Sequence, residues 1–315
     1  MSLNNKIRKF VLATKEEKVI YFFKLFKKIY ILILPFFRLF KLPFVSGSKR
    51  RNIFLDFSER MTNLGKFIRY RYYLGFKLFY SCSKNGTGIV NHIMFDNIYE
   101  KDTCVFLKES LRGLNKPSFV DVGANIGLIS LFLLKNVKDI SIYAFEPSPH
   151  QHMLFKKTIE ENNIAGSVKL FDLALSDTSG TVPFFMHNEA NCSGDGFYDT
   201  GRGGDGRVIN VIATPLDLWW QNNGKVKIDL IKVDTEGAEL FVFKGAKELI
   251  TECHPCIFCE MQEVNYRVYN YTWRDVLSFF ESINYSVYTE SGKKLDIYNT
   301  EELMLNNYNF IAKSY

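Results

Sequence analysis

Phe119-Val-Asp-Val-Gly-Ala-Asn-Ile-Gly127 decides how the rest of the chain is read. A short apolar run reaches Asp121, meets Gly123, Asn125 and Gly127, and passes into the apolar stretch 128–134, a pattern of strand, tight turn and helix. Glycine at 123 and 127 gives the turn backbone freedom and leaves no Cβ in the way of a ligand. The helix behind it offers unpaired N–H groups at its start. Such a turn suits a nucleotide-type cofactor, although a strand-to-helix turn also uses glycine for purely structural reasons.

Downstream, strands and helices alternate. Residues 140–145 form a second strand ending at Glu146-Pro147, after which Ser148-Pro-His-Gln151 reads as a capping box with proline at the first helical position. A third strand is expected over 168–175, then extended pieces over 180–186 and 208–213, and a short helix opened by Thr214-Pro-Leu-Asp217. The buried strand 228–233 ends in Asp234-Thr-Glu-Gly-Ala238, and the apolar spacing of Ala238, Phe241, Val242, Gly245, Ala246 and Leu249 marks one helix face. A strand over 256–260, a helix over 273–282 and an antiparallel pair at 286–289 and 310–312 close the chain. Upstream, a helical pattern over 102–114 leads into the Asp121 strand.

This order implies an α/β fold with a mostly parallel sheet and right-handed crossovers. In such sheets ligands bind outside the carboxyl ends of the strands, where Asp121, Glu146, Asp172, Asp234 and Glu260 all fall. Glu146, ending the second strand, stands where an acidic side chain accepts both hydroxyls of a ribose.

The net charge of +6 is unevenly spread: residues 1–51 hold 13 Lys/Arg against 2 Asp/Glu, so the remainder is acidic. A whole-protein nucleic-acid footprint is therefore not expected, and the basic character is a local device for an anionic surface. Within 18–45, lysines are mixed with aromatic and aliphatic residues. The longest uncharged run, 29–37, contains Pro35 and is well short of the roughly 20 residues that span a bilayer. An interfacial amphipathic segment is expected, with packing on protein as the alternative. No signal peptide is expected, since no small-residue cleavage site follows. The domain boundary is placed near 80, giving an N-terminal helical extension over 1–80 and a catalytic domain over 81–315.

Six cysteines do not form a disulfide framework in a chain of this size, and a reducing cytoplasm fits. Cys253-x-x-Cys256-x-x-Cys259 invites a metal reading, but on a strand Cys256 and Cys259 point to opposite faces, so small buried apolar residues are the better account. The five histidines make no metal or catalytic set. Only His187 is placed to meet a substrate, and a surface position is expected for it. It opens the segment 187–207, which holds six glycines and no hydrophobic period and is expected to be a mobile loop serving as lid or substrate element.

Six stretches together carry a resemblance: Phe119–Gly127, Tyr143-Ala-Phe-Glu-Pro147, Ala174-Leu-Ser-Asp177, Thr214-Pro-Leu-Asp217, Ile231-Lys-Val-Asp-Thr-Glu-Gly-Ala-Glu239 and Phe243-Lys-Gly-Ala246 closely resemble, in order, the FkbM family of S-adenosylmethionine-dependent methyltransferases. The resemblance covers about residues 95–262. It implies a Rossmann-like class I methyltransferase sheet of seven strands with helices on both faces. It places S-adenosyl-L-methionine across Asp121, Gly123, Asn125 and Gly127, with Glu146 on its ribose and adenine near Asp172 to Ala174. It also decides against a nicotinamide dinucleotide, for which Asn125 stands where a fingerprint glycine would be. The reaction expected is O-methylation of a hydroxyl on a sugar or glycolipid precursor. Asp234 and Glu236 are the candidates for general base or substrate orientation, Glu260 a further one, and no metal is called for. Alternatives are a small natural-product acceptor, or a membrane-associated protein that binds the cofactor without turnover.

Overall fold

A computed structural model of the protein describes residues 68–81, 98–187, 194–201, 205–296, 298 and 300–315. The basic segment 18–45 lies outside these residues, as does the turn-rich stretch at 85–88. The described chain opens with a hairpin, β1 (Ile68–Tyr73) and β2 (Phe76–Ser81). Its two-residue turn holds Leu74 at φ 52° and Gly75 at φ 96°, the left-handed pair whose twist matches that of the strands. The Lys77 N–H donates to Asn162 Oδ1 at 2.8 Å, Asn162 Nδ2 donates to the Lys77 carbonyl at 3.0 Å, and the Phe79 N–H donates to Thr158 Oγ1 at 3.0 Å. The boundary placed near 80 therefore falls behind a hairpin whose backbone groups find their partners on the domain.

The chain continues through α1 (Lys101–Ser110), β3 (Ser118–Val122), α2 (Leu128–Asn136), β4 (Ser141–Phe145), α3 (Pro149–Glu161), β5 (Val168–Phe171), β6 (Ala174–Leu175), β7 (Gly180–His187) and β8 (Gly206–Thr214). It then forms α4 (Leu216–Asn222), β9 (Leu230–Val233), α5 (Glu239–Lys244), α6 (Lys247–Cys253), β10 (Cys256–Glu260), α7 (Glu263–Tyr266), α8 (Trp273–Ser282), β11 (Tyr285–Thr289), α9 (Thr300–Asn306) and β12 (Asn309–Ser314).

Seven strands make one sheet in the order β11-β12-β10-β9-β3-β4-β5. The run from β10 to β5 is parallel, and β12 enters antiparallel between β10 and β11. Alternate side chains of the central strands divide between two cores. Val120, Val122, Phe145, Ile231, Val233 and Cys259 face a layer with Trp219, Trp220, Phe243 and Phe280. Phe119, Ile142, Ala144, Leu230 and Phe258 face the opposite layer, with Leu107, Phe132 and Phe155. Cys256 packs against this second layer and Cys259 lies in the first, so the two thiols do point apart, and both are free.

The third strand expected over 168–175 is two strands. The main sheet ends at Phe171, and Ala174–Leu175 joins a separate three-stranded sheet, parallel to β8, which pairs antiparallel with β7. The single helix face expected over 238–249 is likewise broken at Gly245, where a Cβ would lie 2.0 Å from the Ser176 carbonyl oxygen. Asp217 reaches across to the new helix start and accepts the N–H groups of Glu248 (2.9 Å) and Leu249 (2.8 Å), supplying from a distance the cap that α6 lacks locally. Among the described residues no helix is long and apolar enough to cross a membrane.

Candidate active site

The turns that follow β3, β4 and β9 open onto one cleft. Asp121, Gly123, Asn125, Glu146, Asp234 and Glu236 all line it, so six of the eight expected site residues are brought together. Asp172 and Gly127 are not among its lining residues. Asp172 is exposed at the break between β5 and β6, where Leu173 and Ala174 turn toward the cleft in its place.

The two glycines have a packing task in addition to the one their spacing suggests. Both take left-handed backbone angles, Gly123 at φ 76° and Gly127 at φ 85°. A Cβ on Gly123 would meet the Asp234 carbonyl oxygen at 1.9 Å, and one on Gly127 would meet the Phe155 ring at 2.2 Å. Glycine is thus required here for protein against protein: the first lets the β9 turn close onto the β3 turn, the second lets α3 pack under the cradle. Asn125 is also left-handed at φ 52°, a conformation that asparagine tolerates, and its side chain accepts the N–H of Ile126 at 2.8 Å.

Asp121 is buried. Oδ2 accepts the Ser130 hydroxyl at 2.6 Å, while Oδ1 has no hydrogen-bond partner. Burial pushes its carboxyl up, and the Lys232 charge and the Ser130 hydroxyl pull it back. Glu146 is buried too. Its carboxylate accepts the N–H of Asn125 and of Ser148, each at 2.8 Å, tying the β3 and β4 turns together. Burial is the larger influence and pushes this carboxyl up to about 7.

The capping box expected at Ser148 and Gln151 is not formed, because Asp195 takes both side chains. The buried Asp195 carboxylate accepts the Ser148 hydroxyl at 2.8 Å, Gln151 Nε2 at 3.3 Å and the His187 N–H at 2.8 Å, with His187 Nδ1 at 3.3 Å. His187 is consequently buried and not at the surface. Within the segment read as a mobile loop, residues 194–197 line the cleft, and Gly196 bridges to Phe185 of β7 through paired backbone hydrogen bonds of 2.7 and 3.1 Å. Two parts of that segment, 188–193 and 202–204, lie outside the described residues.

At the other end, the loop after β9 is shaped by Glu239. Its buried carboxylate accepts the Thr235 N–H at 3.0 Å, the Thr235 hydroxyl at 3.0 Å and the Gly237 N–H at 3.2 Å. Glu239 therefore ties the loop together ahead of the helix, while Glu236, at φ 55°, faces the cleft and accepts Asn265 Nδ2 at 3.1 Å. Asp234 accepts the buried Lys232 ammonium at 2.9 Å. Tyr269 joins the two loops: its hydroxyl accepts the Phe197 N–H at 3.1 Å, and its ring occupies the space a Cβ on Gly237 would need.

Asp234, Glu236 and Glu260 bring one carboxylate oxygen each within 4.8 Å of the others, an arrangement able to hold a cation and not anticipated from sequence, since the three come from two different strand ends. Burial, followed by the Asp234 and Glu236 charges, pushes Glu260 up to about 9. Ser130, Ser148, Asp195, Lys232, Glu239 and Tyr269 are the site residues the sequence did not single out. Of these, Lys232 carried a visible signal, as a charge within the apolar stretch 230–233.

The strand order and the acid-lined cleft at the strand ends define a class I type of cofactor-binding α/β domain. A model of the methyltransferase FkbM domain matches residues 121–287. Among characterised proteins, the methyltransferase sdnD of Sordaria araneosa is 31% identical over 160 residues, covering 42% of this chain and 62% of its own length. The 2-O-methyltransferase NoeI of Sinorhizobium fredii is 30% identical over 150 residues, covering 43% and 60%. The chain therefore spans only about six tenths of these relatives' lengths. A crystal structure of methyltransferase FkbM from Methylobacillus flagellatus aligns with 90% of this chain and 60% of its own, at 13% identity and a TM-score of 0.44. The chain belongs to the FkbM methyltransferase family. Its domain is thus one that uses S-adenosylmethionine.

The Glu260 carboxyl gives a stability prediction. Its folded value of about 9 lies above the ordinary value of about 4.3, so the folded state binds the extra proton between the two and loses stability as pH rises through that window. Thermal unfolding midpoints measured across it should fall less steeply with pH for Glu260→Gln than for the wild type. Parallel curves would show that Glu260 does not carry the proton.

Proposed function

We propose that this protein is an S-adenosylmethionine-dependent O-methyltransferase that modifies a hydroxyl on a sugar or glycolipid precursor. The observation that carries the reading is the single cleft in which Asp121 and Glu146 share a wall with Asp234 and Glu236. The residues present fit the cofactor. The buried, unpartnered Asp121 Oδ1 suits an ammonium, and the lone pairs of Glu146 are not exhausted by its two backbone donors, leaving room for ribose hydroxyls. Phe145, Leu173, Ala174 and Phe184 offer an apolar wall for a base. When bound, the cofactor supplies a sulfonium methyl open to in-line attack by an acceptor oxygen.

The chain's own contribution is to hold the acceptor in line and to take its proton. Asp234 and Glu236 are the groups for that role, since both line the cleft. Glu260, pushed up to about 9, is protonated at neutral pH and serves the cluster as a neutral neighbour. Oxygen as the acceptor atom is supported by the relative named as a 2-O-methyltransferase. The sugar or glycolipid preference draws on the family resemblance and on the basic aromatic segment 18–45, which we read as holding a cytoplasmic enzyme at an anionic membrane surface. A small natural product is the alternative acceptor.

An acceptor screen with isotope-labelled cofactor, over free and lipid-linked glycans with mass detection, should yield a product heavier by one methyl group on oxygen. Cofactor binding without transfer to any hydroxyl would leave a binding protein instead. The pH dependence of cofactor affinity is a second check. Because Glu146 of the free protein is pushed up to about 7 by burial, it is protonated below that value and cannot accept both ribose hydroxyls. Calorimetry should show affinity falling as pH drops below about 7, and Glu146→Gln should weaken binding by about 1–3 kcal/mol while removing that dependence. For the membrane, full-length protein should sediment with anionic liposomes at low salt, and the full chain carrying Lys24→Gln, Lys27→Gln and Lys28→Gln should sediment less; equal sedimentation would sink the assignment.

A further inference from the structure

Lys232 lines the cleft and is not used by the reaction above. It sits in β9, a central parallel strand whose four residues are all buried, where apolar side chains are the rule. Its side chain is 5% exposed, yet it lines the cleft. A lysine so deeply placed is kept only when paired. Across the sheet its Cα is in register with Asp121 on one side and Phe258 on the other, and its ammonium donates to Asp234 Oδ2 at 2.9 Å. It thus stands between the two subsites, beside the carboxylate with the unpartnered Oδ1 on the cofactor side and the carboxylate of the β9 turn on the acceptor side.

We propose that Lys232 is a positioning residue: a single buried cation placed between Asp121 and Asp234, whose charge holds the two carboxylates beside one another so that one can receive the cofactor's amino group while the other faces the acceptor. The charges around it agree. Burial pulls the lysine down, but the Asp234, Asp121 and Glu100 charges outweigh it and hold it above an ordinary lysine. On α1 the Cys104 thiol also faces Lys232, and Tyr99 faces Asp234 from the segment before that helix. Glu236 adds further negative charge beside Asp234, and Glu260 completes the cluster in its neutral form. Lys232 is therefore the cation against which these acids are balanced. Without it, Asp121 would be a buried acid with one hydroxyl donor and repulsion from Asp234, its carboxyl pushed further up and held more readily as the neutral acid. A neutral Asp121 attracts an ammonium far less.

The proposal rests on the cofactor assignment and not on the identity of the acceptor, so its test uses binding. S-adenosylhomocysteine is the probe, since it keeps the amino group and ribose and lacks the sulfonium charge. Calorimetry with the full-length wild type, Lys232→Met and Lys232→Arg would run from about pH 6.5 to about pH 9. The methionine variant should bind about tenfold or more weakly near pH 6.5, and its deficit relative to wild type should shrink as rising pH ionises Asp121. The arginine variant, which restores the charge, should follow the wild type without a trend. Comparing variants at each pH cancels the Glu146 effect, which all three share. A deficit that is the same at every pH, or no deficit at all, would overturn the proposal, because a purely structural lysine gives no pH-dependent ratio. If Lys232→Met does not fold, aspartate carboxyl carbon NMR of the wild type, assigned with Asp121→Asn and Asp234→Asn, decides the matter without ligand. The Asp121 signal should stay at its ionised position from about pH 6 to about pH 8, and its titration in that range would refute the shared-cation role. Failure of the wild type to bind the probe would instead remove the cofactor assignment, an outcome the NMR result distinguishes.

Discussion

The contact on which the site depends is that of Gly123 against the Asp234 carbonyl. With only 1.9 Å available to a Cβ there, the turn after β3 and the turn after β9 touch backbone to backbone. That approach turns two separate strand ends into one cleft wall. Neighbouring parallel strands place their carboxyl ends side by side, but only a residue without a side chain allows their loops to merge. The cradle and the acidic loop would otherwise be two sites with a ridge between them.

Around this contact, the polar groups of the cleft are organised by burial. Asp121, Glu146, Asp195, Lys232 and Glu239 are each largely withdrawn from water, and each is given partners: a hydroxyl, backbone N–H groups, or an opposite charge. Buried polar groups that are partnered rigidify a site, whereas unpartnered ones are costly unless a ligand completes them. Asp121 Oδ1 is such an exception within the cleft. Asp195 extends the order outward. Through Ser148 it links the strip 194–197 to Glu146, and through Phe197 and Tyr269 the same strip reaches the loop shaped by Glu239. The walls of the cleft are thus linked by hydrogen bonds and, between Tyr269 and Gly237, by ring packing.

Much of the fold was legible because its signals are local and periodic. The apolar runs at 119–122, 141–145, 230–233 and 256–260 are strands, the proline after Ser148 does begin a helix, and the order of elements yields the seven-stranded sheet with its antiparallel last pair. Reading was less accurate where two local patterns compete with a distant partner. The run 168–175 is apolar except at Lys169 and Asp172, and neither residue by itself marks the point at which Ala174 leaves for β8. Ser148 and Gln151 have the spacing of a capping box, but a buried carboxylate 47 and 44 positions further along binds them more favourably than the helix end does. The glycine-rich 187–207 stretch has no periodicity because its described part is held by specific bonds rather than by a hydrophobic face.

By itself, the sequence determined the class of domain and the positions of its acids: Asp121, Glu146, Asp234 and Glu236 follow from strand ends, which a one-dimensional pattern records. Only the tertiary structure decided what those acids do to one another. Whether Glu236 or Glu239 ties the loop together, whether Asp172 reaches the cleft, what Gly123 and Gly127 make room for, and which cation balances Asp121 against Asp234 all depend on distances between elements far apart in the chain. The charge state of a buried carboxylate is set by neighbours in space, and sequence spacing carries no measure of that distance.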